Sequence, residues 1–261
     1  MLDRSRWMLG AAILAAVAVG AFAAPRGSPD VVQGKRLATE LGCHSCHDDA
    51  LTGKRLFASA DGATLYSSNL TTAVRTYTDR QLDHVIRTGE RPDGTRLWYM
   101  DAAPYAVLTP EKMKAIRAYL RGLRPVGTDH PRIKMGPRFL KAVQAGQAKP
   151  ESATLDADLA RPAVDLGPRH ARGRYLARTR CGVCHAPDLG GTADPQPGDP
   201  PDLAIAGSYD RAEFRRLLQR GEAPGGKPIG EMATEARKRF ARLSDGAADA
   251  IYDYLAARAR R

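Results

Sequence analysis

Cys43-His44-Ser45-Cys46-His47 is echoed later in the chain by Cys181-Gly182-Val183-Cys184-His185, and these two runs hold all four cysteines. Whatever the fold, it must present the same five-residue chemistry twice. Cys-x-x-Cys-His is the attachment signature of c-type haem. Two thiols one helical turn apart can each add to a porphyrin vinyl group, and the histidine that follows falls beneath the iron as proximal ligand. Zinc ribbons and redox dithiols share the Cys-x-x-Cys part. A zinc ribbon sets its two pairs about 15–20 residues apart, whereas 134 residues lie between Cys46 and Cys181. A thioredoxin-like site needs a strand-helix-strand context, and no strand-like alternation flanks either run. The histidine at one offset in both copies decides for two covalently bound haem c groups. Cys43, Cys46, Cys181 and Cys184 are the expected thioethers, with His47 and His185 as iron ligands.

At 261 residues the chain has room for two ordinary domains. Much alanine and arginine with few aromatics favours helix. The formal charge of +11 suits an acidic redox partner or an anionic membrane surface; nucleic acid is not an expected partner of an exported haem protein. Export is the reading of the N-terminus. Arg4 and Arg6 precede an uncharged run from Trp7 to Ala24, and Ala21-Phe22-Ala23 offers a small-residue cleavage pattern. Residues 1–24 are therefore either a removed signal peptide or a retained anchor, since 18 uncharged residues are borderline for a membrane span. Cleavage after Ala23 would remove Asp3, Arg4 and Arg6, taking the charge from +11 to +10. Either way the haem domains are expected in the periplasm, free or tethered to the inner membrane by residues 7–24.

A helix is predicted from a cap at Asp30, running through Val31, Leu37 and Leu41 into the first motif. Residues 51–76 read as loop. Thr78-Asp79-Arg80-Gln81 opens a short helix that stops at Gly89, and Glu90 to Leu108 reads as loop again. Thr109-Pro110-Glu111 starts a helix with Met113, Ile116, Tyr119, Leu120 and Leu123 on one face. Residues 125–167 form a Pro/Ala-rich connector, in which Phe139, Leu140 and Val143 are apolar enough to pack on a domain. The pattern restarts at Pro168 with helix, motif and a Gly/Pro/Asp-rich loop. A helix over Ser208–Arg220 capped by Ser208 or Asp210, a glycine-rich loop, and a helix from Ser244 to Arg258 complete it. This is an internal repeat of one all-α domain type, spanning 30–124 and 168–261. A glycine shortly before each motif, Gly34 and Gly173, suggests close approach by another helix.

The repeat selects the sixth iron ligand. Cys43 and Cys181 are 138 positions apart, and Tyr119 and Tyr254 are 135 apart. A repeated ligand should recur at a similar distance, and Met100 and Met232, 132 apart, do so. Met113 and Met135 have no such partner, and Met8 lies in the leader. His84, His130, His170 and His44 have none either. A thioether is a soft neutral ligand that raises the reduction potential relative to a second histidine. With both axial positions filled, the iron passes electrons and does not readily bind substrate.

Both halves resemble class I cytochrome c domains. The residues Ser67-Ser68-Asn69-Leu70-Thr71-Thr72, Tyr77-Thr78-Asp79, Gly89, Asp93-Gly94 and Met100 are similar to the cytochrome subunits of membrane-bound alcohol and gluconate dehydrogenases. Arg172-Gly173-Arg174-Tyr175-Leu176-Ala177 and Cys184-His185 fit the same group less tightly. That family has three haem domains, against two motifs here. The resemblance implies that Gly34 meets the Tyr119 helix and Gly173 the Tyr254 helix. It also implies a contact between Asn69 and a haem propionate.

The expected function is electron relay without catalysis, between a dehydrogenase and an oxidase or another cytochrome in a periplasmic respiratory chain. The alternative is a dihaem redox enzyme, peroxidase-like or thiosulfate-oxidising. A peroxidase needs a displaceable ligand, and the thiosulfate chemistry typically uses an axial cysteine, whereas all four cysteines are already committed.

Overall fold

The computed structural model describes residues 27–261, so the leader or anchor expected at residues 1–24 lies outside it. Helix α1 (Pro29–Glu40) is capped by Ser28, whose Oγ accepts the Val31 N–H at 3.4 Å, with Pro29 in the first turn. Asp30, the expected cap, instead lies inside that turn and pairs with Lys114 at 2.9 Å. The first motif forms α2 (Cys43–His47), entered through Gly42. Residues 51–76 are not all loop. β1 (Arg55–Ala58) pairs antiparallel with β2 (Thr64–Tyr66), with Phe57 opposite Leu65 and an irregularity between Arg55 and Phe57.

A single turn, α3 (Leu70–Ala73), leads to α4 (Asp79–Thr88). Thr78 and Gln81 form a reciprocal capping box at the start of α4, and Gly89 closes it. The stretch from Glu90 to Leu108 contains one further turn, α5 (Ala103–Ala106), before α6 (Pro110–Gly122) begins at its Thr109 cap. Helix α1 crosses α6 at Gly34. A Cβ there would lie 1.9 Å from the Ala115 carbonyl oxygen and 2.7 Å from Tyr119 Cβ, so only glycine permits the approach. Leu37, Leu82, Met113, Ile116 and Leu120 fill the core around this crossing.

The connector wraps the first half. Lys134 bridges to Thr64, extending the hairpin by one contact, and the His130 ring stacks on Tyr66 at 5.2 Å. In α7 (Pro137–Gln144) Phe139 meets Trp98 edge-on at 5.1 Å, which is the packing its apolar composition predicts. After α8 (Leu155–Leu159) the chain enters a second core at Ala163.

There α9 (Ala171–His185) carries the second motif on one continuous helix, where the first half breaks between α1 and α2. Next come α10 (Arg211–Arg220), capped by Asp210 with Glu213 in a capping box, then α11 (Glu231–Arg239) and α12 (Asp245–Arg258). The α9–α12 crossing repeats the α1–α6 one. A Cβ on Gly173 would sit 1.9 Å from the Ala250 carbonyl oxygen and 2.7 Å from Tyr254 Cβ. Among the described residues the molecule is predominantly helical, and no helix is long and apolar enough to cross a membrane.

Candidate haem-binding site

Helix α2 sets Cys43 and Cys46 one turn apart with His47 at its end. All three line a cavity of about 720 Å³ together with Met100, which reaches it from the loop before α5. That size lies within the roughly 300–1,000 Å³ usual for cofactor pockets. Leu65, Leu70, Val74, Leu82, Ile86 and Leu120 supply much of its apolar wall. His47 Nδ1 lies 2.8 Å from the Ser68 carbonyl oxygen. A carbonyl can only accept, so this contact puts the ring proton on Nδ1 and leaves the Nε2 lone pair free for a metal. Burial pulls the His47 pKa below its ordinary value, which favours the neutral, ligand-competent ring. Next to it, Ser67 Oγ donates to the Cys46 carbonyl at 2.7 Å and accepts the Lys54 N–H at 2.9 Å, clamping the hairpin to the motif.

The second motif is held the same way. His185 Nδ1 lies 2.8 Å from the Pro201 carbonyl oxygen, and burial again lowers its pKa. The turn after each histidine is also duplicated. Asp48 and Leu51 have φ of 62° and 60°, Ala186 and Leu189 have 63° and 67°, and all are non-glycine residues in a sparsely populated region. The Gly53 and Gly191 amides donate back to the His47 and His185 carbonyls, each at 2.9 Å. Leu51 and Leu189 are buried to about 1% or less exposure. Backbone strain of about 1–3 kcal/mol per residue is offset by that burial and directs the following loop back over the histidine. In this half Cys181 belongs to the buried core, and Met232 packs against the same core from α11.

The cysteines do not suit the competing chemistries. Among the described residues no three His, Cys, Asp or Glu side chains gather as they would around a metal ion. A redox dithiol needs a lowered thiol pKa, whereas burial pushes Cys43 up to about 11 and Cys181 up to about 12. Thiol pair, oriented imidazole, thioether and apolar cavity together fit haem c.

Comparison with known proteins agrees. The family model described as Cytochrome c matches residues 31–124. Residues 31–124 match a cytochrome c domain. Such a domain implies covalently bound haem c, and Cys43, Cys46 and His47 lie inside the matched segment. Over 207 residues the chain is also 30% identical to the cytochrome c subunit of quinone alcohol dehydrogenase from Gluconacetobacter polyoxogenes, and equally to that from Komagataeibacter europaeus. The alignment covers 72% of this chain and 42% of each relative, so the chain spans less than half of the proteins it matches.

Two readings of the sequence need correction. Asn69 is 1% exposed and its side chain is fully engaged: Nδ2 donates to the Val126 and Thr128 carbonyls, and Oδ1 accepts from Thr71 N and Oγ1. It pins the connector to the loop and has no donor left for a propionate. Met232 was expected in a loop and instead occupies the first turn of α11. The Ser68 and Pro201 carbonyls cannot be picked out as partners of the histidines from sequence, because any residue can offer a carbonyl. Leu51 and Leu189, each four positions after its histidine, could have been found by extending the repeat past the motifs.

Proposed function

We propose that this chain is a dihaem c-type cytochrome that relays single electrons and performs no catalysis of its own. The observation that carries the reading is the first cavity, where Cys43, Cys46, His47 and Met100 meet and a carbonyl orients the His47 ring. Haem c, when bound, supplies one-electron chemistry at its iron. Cys43 and Cys46 would hold it by thioethers in the first half, with His47 and Met100 as axial ligands. Cys181, Cys184, His185 and Met232 would do the same in the second.

The chain's own contribution is to orient two imidazoles through backbone carbonyls, place the Met100 sulfur in the first cavity, and exclude water there with leucine and isoleucine side chains. With His47 and Met100 as ligands, the haem in the first half would have no open site for peroxide or oxygen. The excess positive charge would steer an acidic donor or acceptor into place. The named relatives point to a quinone-dependent alcohol dehydrogenase, or an enzyme like it, as the donor side, with an oxidase or another cytochrome as acceptor. Residues 1–24 would deliver the chain to the periplasm as a cleaved leader, or keep it there as an inner-membrane anchor.

Mass analysis of the mature protein should find two added porphyrins, and a redox titration should show the weak methionine-to-iron band on oxidation. Reduced protein should be inert to carbon monoxide. One porphyrin, or rapid stoichiometric carbon monoxide binding by the unmodified protein, would overturn the relay.

A further inference from the structure

Arg180 belongs to the second half, immediately before Cys181, yet its side chain lines the first cavity. It passes so close to Gly42, the residue immediately before Cys43, that a Cβ on Gly42 would collide with Nη1. The side chain therefore spans the space between the two motifs. It is 7% exposed, its Nε is buried without a hydrogen-bond partner, and its guanidinium lies over the Phe240 ring at 4.9 Å. The groups that act on it most strongly are Tyr105, Cys181, Arg239 and Cys43, none of them a carboxylate. Among the described residues no carboxylate forms an ion pair with this cation, and a guanidinium does not give up its proton in a protein.

Burying an uncompensated charge is costly, so a native chain that retains one needs an opposing charge or a function for it. A fixed positive charge in a low-dielectric wall favours whichever oxidation state of a neighbouring centre carries one electron more. We propose that Arg180 is a positioning residue that raises the reduction potential of the haem in the first cavity and so sets the direction of electron flow between the halves. The proposal rests on the haem reading above. Arg239 provides an internal control, because it lines the same cavity but pairs with Glu235 at 2.9 Å, which cancels most of its field.

The test is a redox titration of the full holoprotein, with covalent haem counted first in each variant. Arg180→Gln should lower one of the two midpoint potentials by at least 59 mV, a tenfold change in a one-electron equilibrium constant, while the other moves less. Arg180→Met is a second neutral variant if the amide is not accommodated, and the same drop is expected. Arg180→Lys should keep most of the original potential because it keeps the charge. Arg239→Gln should shift neither midpoint as far. Two intact haems with both midpoints unmoved in the neutral variants would overturn the role of Arg180. So would a lysine variant that drops as far as the glutamine one, since packing and not charge would then be responsible. A wild-type protein that lacks haem in the first half would instead sink the underlying cytochrome reading, an outcome read before any variant is titrated.

Discussion

Gly34 and Gly173 are small residues with large consequences, because each lets two helices touch backbone to backbone. A methyl group at either would have to displace a carbonyl oxygen now 1.9 Å from its position. Overpacking of this kind costs about 1–3 kcal/mol, so Gly34→Ala and Gly173→Ala should each lower stability in that range, read as a reduced urea midpoint. The proposed iron ligands make a spectroscopic prediction. Met232→His should leave both haems attached but lower one midpoint potential, since imidazole stabilises ferric iron better than a thioether does; an unchanged titration curve would count against Met232 as a ligand. The motif residues were legible from sequence because covalent attachment demands consecutive spacing. The Ser68 and Pro201 carbonyls were not, because backbone groups leave no trace in side-chain identity. Asn69 shows the converse, since its identity was noticed but its hydrogen-bonding capacity is spent within the protein.

At the level of elements, side-chain caps made α4, α6, α10 and α12 readable and the haem motif made α9 readable without one, whereas the single turn α3 is hidden from sequence despite its Asn69 cap. Thr78 and Asp210 open α4 and α10 with reciprocal bonds to Gln81 and Glu213. Replacing either cap by alanine should cost about 0.5–2 kcal/mol, seen as a lower thermal midpoint. The α11 helix lacks a side-chain cap and follows glycines, which hid it despite its run of good helix formers and the Glu235–Arg239 pair. The hairpin was hidden by strands of four and three residues, although Asp61-Gly62 between them is a hairpin signal. Between α10 and α12, Arg215 holds Asp249 through two 2.7 Å bonds and keeps its carboxyl below the ordinary 3.8. A carboxylate depressed by folding contributes stability in full above its unfolded value and loses it as pH falls through the folded one. The advantage of wild type over Asp249→Asn in urea should therefore be present at neutral pH and disappear on acidification below 3.8.

Across the whole molecule, the two cores meet through a boundary that mixes charge with one partly buried aromatic. Glu40 pairs with Arg172 at 3.0 Å, Asp49 pairs with Arg242, and Lys112 lies over the Tyr175 ring at 4.4 Å. Exposed pairs such as these add little stability, so the apolar contact is the stronger tie. Tyr175 packs against both cores, and its hydroxyl is buried without a hydrogen-bond partner. Burial raises its pKa, which keeps the phenol protonated and polar in a place that offers it nothing. An unpaired buried polar group costs about 1–3 kcal/mol. Tyr175→Phe keeps the ring, the Lys112 contact and the packing on both sides while removing only that hydroxyl. The variant should be at least as stable as wild type, by as much as about 1 kcal/mol, and should melt in the same number of transitions. Tyr175→Ala removes the shared ring and should loosen one half from the other, broadening or splitting the thermal transition. A phenylalanine variant less stable than wild type would show that the hydroxyl makes a net stabilising interaction in the folded protein.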